Sequence, residues 1–361
     1  MPTTTTTSWY LAAVLLVSMC VGGCASVGPQ TVPRDQFNYN GAIAGAAHEQ
    51  ILLNLIRLRY AEMPMFLRVS SVIAQYSRVA RLDASVGAGN APAGDANASG
   101  ALGGGVVWAD RPTITYIPVS GQEFSRNLLR PLRPDALFEM MMSGWPAELV
   151  FRVSVWSING LDNAVARPPH RRDIDPKLLE LLKLWPLLRQ ARVLGMRKVP
   201  TADDQSELRL FLFDQDASPE VARDIARFRE LLEIESSVRE LDLTYGLRPA
   251  ESDQIAVLTG SVYDIMLDLA WQMDVPEEHV KSGRAGETAQ LGGPSGRPPI
   301  DVRASTEEPR NAFVAVRAQD HWFYIDQDDR ESKRAFSFLQ LLLNLADTDA
   351  PPAGPIVTIS N

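Results

Sequence analysis

An acidic cluster near the carboxy terminus is the clearest candidate for cation binding. Asp326 and Asp328 have the spacing that begins an EF-type calcium loop, which needs a further ligand at position five, glycine at six and glutamate at twelve. Those positions hold Arg330, Glu331 and Ser337. Asp328 and Glu331 instead have the spacing of a helix-capping box, so we predict that this acidic segment begins a helix.

The four histidines lack the spacing of a zinc motif. A zinc-binding helix carries two histidines four residues apart, and no pair among His48, His170, His279 and His321 has that spacing. The chain also has no G-x-S-x-G, S-x-x-K or G-x-x-x-x-G-K-[ST] motif. We therefore predict no catalytic residue, metal or cofactor and a protein that is not an enzyme. A site formed by distant residues that meet only in the fold has no such motif.

Both cysteines lie near the amino terminus. The uncharged apolar run from Trp9 to Met19 precedes Cys20 and Cys24. This run has the length of a signal-peptide core and is too short to cross a bilayer as a helix. Small residues stand directly before Cys24, where they would let a protease approach the backbone.

The sequence Val21-Gly22-Gly23-Cys24 resembles the lipobox of bacterial prolipoproteins. The resemblance implies that residues 1–23 are a signal peptide and that Cys24 receives a diacylglyceryl group on its sulfur and an acyl chain on its new amine. Ala25, which is not aspartate, resembles the outer-membrane sorting pattern of such proteins. The expected location is thus the outer membrane, with lipid as one partner and the body in the periplasm. An ordinary secretory signal is the alternative.

The mature chain would contain no free thiol and no disulfide, because Cys20 is removed and Cys24 is acylated. Its stability must then come from core burial. Residues 24–40 form the lipid anchor and a polar tether with Gly and Pro.

Composition indicates a globular body that does not bind nucleic acid. The 361 residues are 45% hydrophobic and 22% charged, with a formal net charge of −9, whereas a phosphate-binding surface needs concentrated positive charge. The basic segment from Arg167 to Arg172 is short, and its two prolines favour a solvated loop. Contact with lipid head groups is the alternative for this segment.

Periodicity predicts an α+β fold of mixed helices and short strands. In the region 41–165, a helix over 41–60 precedes strands over 65–86 and 106–119. The intervening Gly87–Gly105 is rich in small residues, which predicts a long hairpin with a flexible tip. As an alternative, the hairpins of several copies meet to line a pore.

The remaining elements follow from the same patterns. Two short helices between 122 and 144 and a strand over 148–158 complete the first region. Helices over 178–194 and 260–272, strands over 208–213 and 241–245, and a helix that begins at Ser218-Pro219 make 166–280 an α/β region. A loop or linker spans 281–309, and 310–361 holds a hairpin over 312–325 and a helix over 330–346.

Two segments are candidates for contact surfaces. Asp135–Met142 is rich in methionine, which favours a gap-filling role in the core over a partner surface. In Trp322-Phe323-Tyr324, strand alternation places Phe323 opposite the other two aromatic residues, so at least one face is expected to be core.

The segments EQILLNLIRLRYAEMPMFLRVSSVIAQYS, LVFRVSVWSINGL and WFYIDQDDRESKRAF are similar to a group of exported bacterial proteins of unknown function. The similarity implies no activity or site residue. We expect a membrane-anchored envelope lipoprotein that acts as a non-enzymatic interaction or assembly module. A protomer of an oligomeric outer-membrane pore or secretion channel that uses the 65–119 hairpin is the alternative, and an envelope hydrolase is a third possibility.

Replacing Cys24 tests the lipid attachment directly. Cys24→Ala should abolish incorporation of a clickable palmitate analogue, because the thioether cannot form, whereas Cys20→Ala should leave labelling unchanged. Labelling is read on the immunoprecipitated protein. Equal labelling of the Cys24→Ala variant and the wild type would contradict the lipobox assignment.

Overall fold

The computed structural model describes residues 28–73, 76–88, 98–110, 113–200, 206–213, 217–289 and 297–347. These ranges contain nine helices and thirteen strands, which confirms the predicted α+β class. The chain divides into two compact units. Unit one comprises residues 1–46 and 67–117, and unit two comprises residues 47–66 and 118–361.

The first helix is longer than the sequence predicted. Helix α1 spans Gly28–Arg59, so the expected tether is wrong for residues 28–40. Pro29 lies in the first turn, where a missing backbone N–H leaves no hydrogen bond unmade. The helix ends at Arg59, ahead of Pro64.

Two pairs of strands lie mainly in unit one. They are β1 (Phe66–Ile73), β2 (Tyr76–Ala88), β3 (Ala98–Asp110) and β4 (Thr113–Val119). Strands β2 and β3, here called the ribbon, pair antiparallel from Tyr76↔Asp110 to Ala88↔Ala98, and β1 pairs with β4.

The ribbon confirms the predicted long hairpin and corrects its tip. Residues 98–105, which were expected to belong to a flexible tip, form strand in β3. Glycine weakens a strand but does not prevent pairing once the register is fixed by the partner. Residues 89–97, the remainder of the expected tip, lie outside the described residues.

The central element of unit two is a mixed sheet with the order β6-β5-β10-β9-β8-β7. Only β9 and β10 pair in parallel, and the other neighbours are antiparallel. Its strands are β5 (Val155–Ile158), β6 (Leu161–Asp162), β7 (Leu194–Pro200), β8 (Ser206–Leu212), β9 (Glu240–Tyr245) and β10 (Gln254–Thr259). The sheet thus combines strands from the 41–165 and 166–280 regions.

Six helices of unit two accompany this sheet. They are α2 (Gly121–Leu128), α3 (Pro134–Met142), α4 (Ala147–Ser154), α5 (Pro176–Gln190), α6 (Pro219–Leu231) and α7 (Val262–Trp271). The predicted pair of short helices between 122 and 144 is confirmed, as is the Ser218 cap, whose side chain accepts from the backbone N–H of Val221.

The predicted strand over 148–158 is wrong for its first part. Residues 147–154 form helix α4, in which Val150, Phe151 and Val153 are buried, and only Val155–Ile158 is strand. Valine and phenylalanine favour strands, but here their burial follows helical spacing. The Asn163 side chain stabilises the change of structure by donating to the carbonyls of Phe151 (2.8 Å) and Val155 (2.7 Å).

Aromatic side chains form the centre of the core in unit two. Trp185 packs against Phe138, Phe151 and Phe228, with ring centroids 5.6, 5.7 and 5.9 Å away. Met140 and Met141 are buried beside this group, which confirms a core role for most of the methionine-rich segment.

The carboxy-terminal block forms a second, three-stranded sheet of order β11-β13-β12. Helix α8 (Glu277–Lys281) precedes β11 (Arg303–Ser305), β12 (Ala312–Ala318), β13 (His321–Asp326) and α9 (Arg330–Asp347), so the predicted hairpin and final helix are confirmed. The 281–309 segment is not wholly a surface loop, because β11 lies in it and Ile300 and Val302 are buried. Residues 290–296 lie outside the description.

A close backbone approach gives a stability test of this packing. A Cβ on Gly260 would lie 2.6 Å from the indole of Trp156, so Gly260→Ala should lower the free energy of unfolding by about 1–3 kcal/mol. At Gly246 the nearest atom would be 3.8 Å away, so Gly246→Ala is the matched control. Urea unfolding measures both variants, and equal stabilities would contradict the packing described.

Candidate functional site

Two histidines that are far apart in sequence meet in unit two. Helix α8 carries Glu278 and His279, and His321 is the first residue of β13. His321 follows a tight turn in which Gln319 and Asp320 have φ values of 50° and 64°. Positive φ at both central residues is the geometry of a two-residue hairpin turn, and it brings His321 to the end of the sheet.

The three side chains have a geometry suitable for cation binding. Glu278 Oε1 lies 3.8 Å from His279 Nε2 and 3.6 Å from His321 Nε2. One ligand atom from each of the three residues lies within 4.8 Å of the other two. The His279 and His321 rings meet edge to face with centroids 5.1 Å apart. We refer to Glu278, His279 and His321 as the histidine cluster.

Hydrogen bonds at the opposite ring nitrogens orient both imidazoles. His279 Nδ1 is 2.6 Å from the hydroxyl of Tyr60, and His321 Nδ1 is 3.3 Å from the carbonyl oxygen of Gln319. A carbonyl can only accept, so this contact places a proton on His321 Nδ1.

Burial keeps the centre of the cluster uncharged. Burial lowers the pKa of His279, and the nearby Arg284 and His321 lower this pKa further, against smaller opposing effects of Glu278 and Asp320. Burial also raises the pKa of Tyr60, so its phenol stays protonated near neutral pH. The His279 side chain is 0% exposed and Glu278 is 68% exposed, so the cluster extends from the interior to solvent.

No ligand role was predicted for these residues, because the two histidines of a zinc-binding helix are expected four residues apart. The pairing depends on the position of α8 beside the β12–β13 turn, which periodicity does not determine. No local signal in the sequence identifies it. The other two histidines lie elsewhere: His48 Nε2 is 3.2 Å from Gln340 Oε1, and His170 is exposed.

The acidic segment at 326–329 caps a helix, although the capping residue differs from the prediction. Asp329, not Asp328, accepts from the backbone N–H of Ser332 (3.1 Å) at the start of α9. Asp328 instead accepts from the side chain of Asn311 at 2.9 Å. The expected capping box was therefore placed one residue too early. In the aromatic segment, Phe323 is buried as expected, and Trp322 and Tyr324 are half-buried.

The basic segment at 167–172 is a loop whose residues 168–171 are exposed, as predicted, while the arginines at its two ends form ion pairs. Arg167 pairs with Asp264 and lies over the ring of Trp156, 5.5 Å from its centroid. Arg172 pairs with Asp162 at 3.0 Å. His170, between the two arginines, is exposed.

A buried carboxylate accepts hydrogen bonds from the backbone at the start of this segment. Asp268 Oδ1 accepts from the backbone N–H of Ala166 (2.7 Å), and Oδ2 accepts from the Gln272 side chain (3.1 Å). Burial raises the pKa of Asp268 to about 6, against the opposing effect of these hydrogen bonds. Both oxygens have structural partners, so we assign Asp268 a structural role.

The ribbon is a second candidate surface, because its two strands pair in one continuous register over their whole length. Alternate residues of a strand share a face, and cross-strand partners lie on the same face. Leu82, Ala84 and Val86 therefore share one face with Arg78 and Asp110. The other face carries Arg81, Asp83 and Ser85 together with the pair Val79↔Val107, so neither face is wholly apolar.

The predicted lipid site lies outside the described residues. Cys24 and Ala25 precede Gly28, so their assignment stays a prediction. Among the described residues, no helix combines the length and the apolar character needed to cross a membrane.

Comparison with known proteins does not identify a family for this chain. No protein-family model, no curated protein and no solved structure matches this chain.

The raised pKa of Asp268 predicts a specific pH dependence. The folded state holds this proton more tightly than the unfolded chain does, so the contribution of Asp268 to stability increases as the pH falls from about 6 towards 4. Between pH 7 and pH 4 the wild type should gain about 2 kcal/mol of unfolding free energy relative to Asp268→Asn. Urea unfolding at several pH values measures this difference.

The exposed Asp253 supplies the control for this experiment. Asp253→Asn should follow the wild type across the same pH range. A constant difference between wild type and Asp268→Asn would show that Asp268 does not titrate differently in the folded state.

Proposed function

We propose that this chain is a lipid-anchored, non-enzymatic envelope protein that assembles through its ribbon with the ribbons of further copies. Lipid on Cys24 would hold each copy at the outer membrane, with the body in the periplasm. Copies anchored at one surface in one orientation would meet at high local concentration, which favours self-association.

The pairing of the ribbon is the observation that carries the proposal. In the described part of the chain, β2 and β3 pair only with each other along thirteen residues each. A two-stranded ribbon of this kind has two edges with unpaired backbone groups and is marginally stable by itself. Further strands would satisfy both edges.

A second copy fits these edges better than an unrelated partner does. Because β2 and β3 run antiparallel, the β3 edge of one copy can extend the β2 edge of the next with the same antiparallel pairing. Repetition of this contact generates a closed ring or an open array of identical copies. The two strands that continue the hairpin also expose apolar side chains, including Leu67, Tyr116 and Ile117.

Site-specific photo-crosslinking in cells tests the contact between copies. A photo-reactive amino acid in place of Ser85, within β2, should give a ladder of dimers and larger products that contain only this chain. The same reagent in place of Asp253, an exposed residue of unit two, is the control. Products that contain only another protein, or no product, would contradict self-assembly.

A register-matched deletion tests whether the ribbon is needed. Removing residues 84–102 joins Asp83 to Gly103, which are cross-strand partners, and creates an Asp-Gly turn closed by the pair Leu82↔Gly104. The variant with the shortened ribbon should no longer form homo-oligomers in detergent. Light scattering measures this change. Unit two should keep its urea midpoint, because the deletion lies wholly in unit one. Retention of the wild-type oligomer would contradict the proposal.

A pore is the second candidate function, and the length of the ribbon strands favours it. Strands of thirteen residues exceed the roughly 9 to 11 needed to cross the apolar layer of a membrane. The face with Leu82, Ala84 and Val86 would contact lipid, and the face with Arg81, Asp83 and Ser85 would line the opening. Conductance of planar bilayers that contain the purified oligomer, absent with the 84–102 deletion, distinguishes this function from assembly alone.

A further inference from the structure

The buried imidazole of His279 has an unused coordination site. Its Nε2 has no hydrogen-bond partner among the described residues, and the side chain is 0% exposed. A buried polar atom without a partner is costly, so such an atom indicates an additional ligand. Glu278 Oε1, at 3.8 Å from this nitrogen, is too distant for a hydrogen bond.

The surrounding atoms have nearly the separation that a bound cation requires. Ligand atoms at about 2.0–2.1 Å from a tetrahedral zinc ion lie about 3.4 Å from one another. Glu278 Oε1 is 3.6 and 3.8 Å from the two imidazole nitrogens. All three ligand atoms lie within 4.8 Å of one another, so rotations of these side chains would bring them onto one ion.

We propose that Glu278, His279 and His321 bind one zinc-type divalent cation, with water from the solvent side in the fourth position. The proposal is independent of the assembly through the ribbon.

The donor set selects the class of cation. Two imidazole nitrogens and one carboxylate oxygen suit zinc and neighbouring transition metals, whereas calcium and magnesium prefer oxygen ligands. The hydrogen bonds of Tyr60 and Gln319 to the two Nδ1 atoms correspond to the outer interactions that orient metal-binding histidines. With a cation on His279 Nε2, the Nδ1–H group of that ring donates to the Tyr60 hydroxyl oxygen.

Both negative and positive groups lie near the histidine cluster. Their opposite effects on cation affinity can be tested separately. Glu278 and Asp320 act on His279 as negative charges and favour a cation there. Arg284 acts on both His279 and Tyr60 as a positive charge and opposes it. The Arg284 side chain should therefore weaken cation binding without contacting the ion.

Bound metal would join three parts of unit two. The ligands come from α8 and from the β12–β13 hairpin, and Tyr60 extends the contact to the residue after α1. An ion that binds only the folded state stabilises it by linkage. Zinc should therefore raise the thermal midpoint of the metal-free protein.

Calorimetric titration of the metal-free full chain in detergent with Zn²⁺ tests the site. The wild type should bind one ion per chain. His321→Ala should weaken binding at least 100-fold and abolish the zinc-dependent rise in the thermal midpoint. Glu278→Gln, at an exposed position where folding is not at risk, should weaken binding at least tenfold. His170→Ala, which removes an exposed histidine elsewhere, should bind as the wild type does.

Cobalt provides a spectroscopic readout that does not depend on stability. Co²⁺ in place of zinc should give the visible absorption of a four-coordinate nitrogen–oxygen site, and His321→Ala should lack it. Zinc binding that is equal in the wild type, His321→Ala and Glu278→Gln would overturn the proposal, because the ion would then bind elsewhere. Absence of binding to the wild type would also overturn it.

Removing the positive charge of Arg284 should raise the affinity for zinc, whereas removing a ligand lowers it. Arg284→Gln should tighten zinc binding roughly two- to fivefold, because it removes a nearby positive charge and keeps the backbone N–H that donates to the His279 carbonyl. Lys281→Gln, one turn along the same segment and paired with Glu277, is the matched control and should change affinity less. Weaker binding by Arg284→Gln would contradict the location of the ion.

Discussion

Polar groups that folding removes from water need partners, and this requirement determines how the chain turns at several buried positions. Asn54, at the end of α1, both donates to the carbonyl of Met65 (2.8 Å) and accepts from its N–H (2.9 Å), which fixes the path of the chain towards the hairpin. Asn163 satisfies carbonyls where α4 becomes β5. Asp268 accepts a hydrogen bond from the backbone N–H of Ala166, next to the basic segment.

The two proposals concern places where this requirement is not met by the described residues. The edges of the ribbon have backbone groups that no described strand pairs, and His279 Nε2 faces two other potential ligands without a hydrogen bond. Arg59 is a useful comparison. Two of its nitrogens also lack partners, yet its third donates to Gly286 and its cation lies over Trp271, so the side chain has structural contacts that account for its position.

The sequence correctly predicted those elements whose structure depends on local chemistry. It did not predict the elements and contacts that depend on tertiary packing. The Ser218 cap, the β12–β13 hairpin and the final helix follow from capping, turn and periodicity rules. Residues 147–154 were misassigned because valine and phenylalanine favour strands, although their burial here follows a helix. The histidine cluster could not be predicted, because its members meet only when α8 lies beside a distant hairpin.

Hydrogen exchange of the ribbon amides in the native, membrane-extracted protein tests the central claim most directly. In a lone two-stranded ribbon, alternate amides point away from the partner strand and exchange with water. If neighbouring copies complete the edges, consecutive amides throughout residues 76–88 and 98–110 will be protected, and dissociation into monomers will expose every second one. Exchange of alternate amides at the rate of an unstructured chain in the native material would contradict the account.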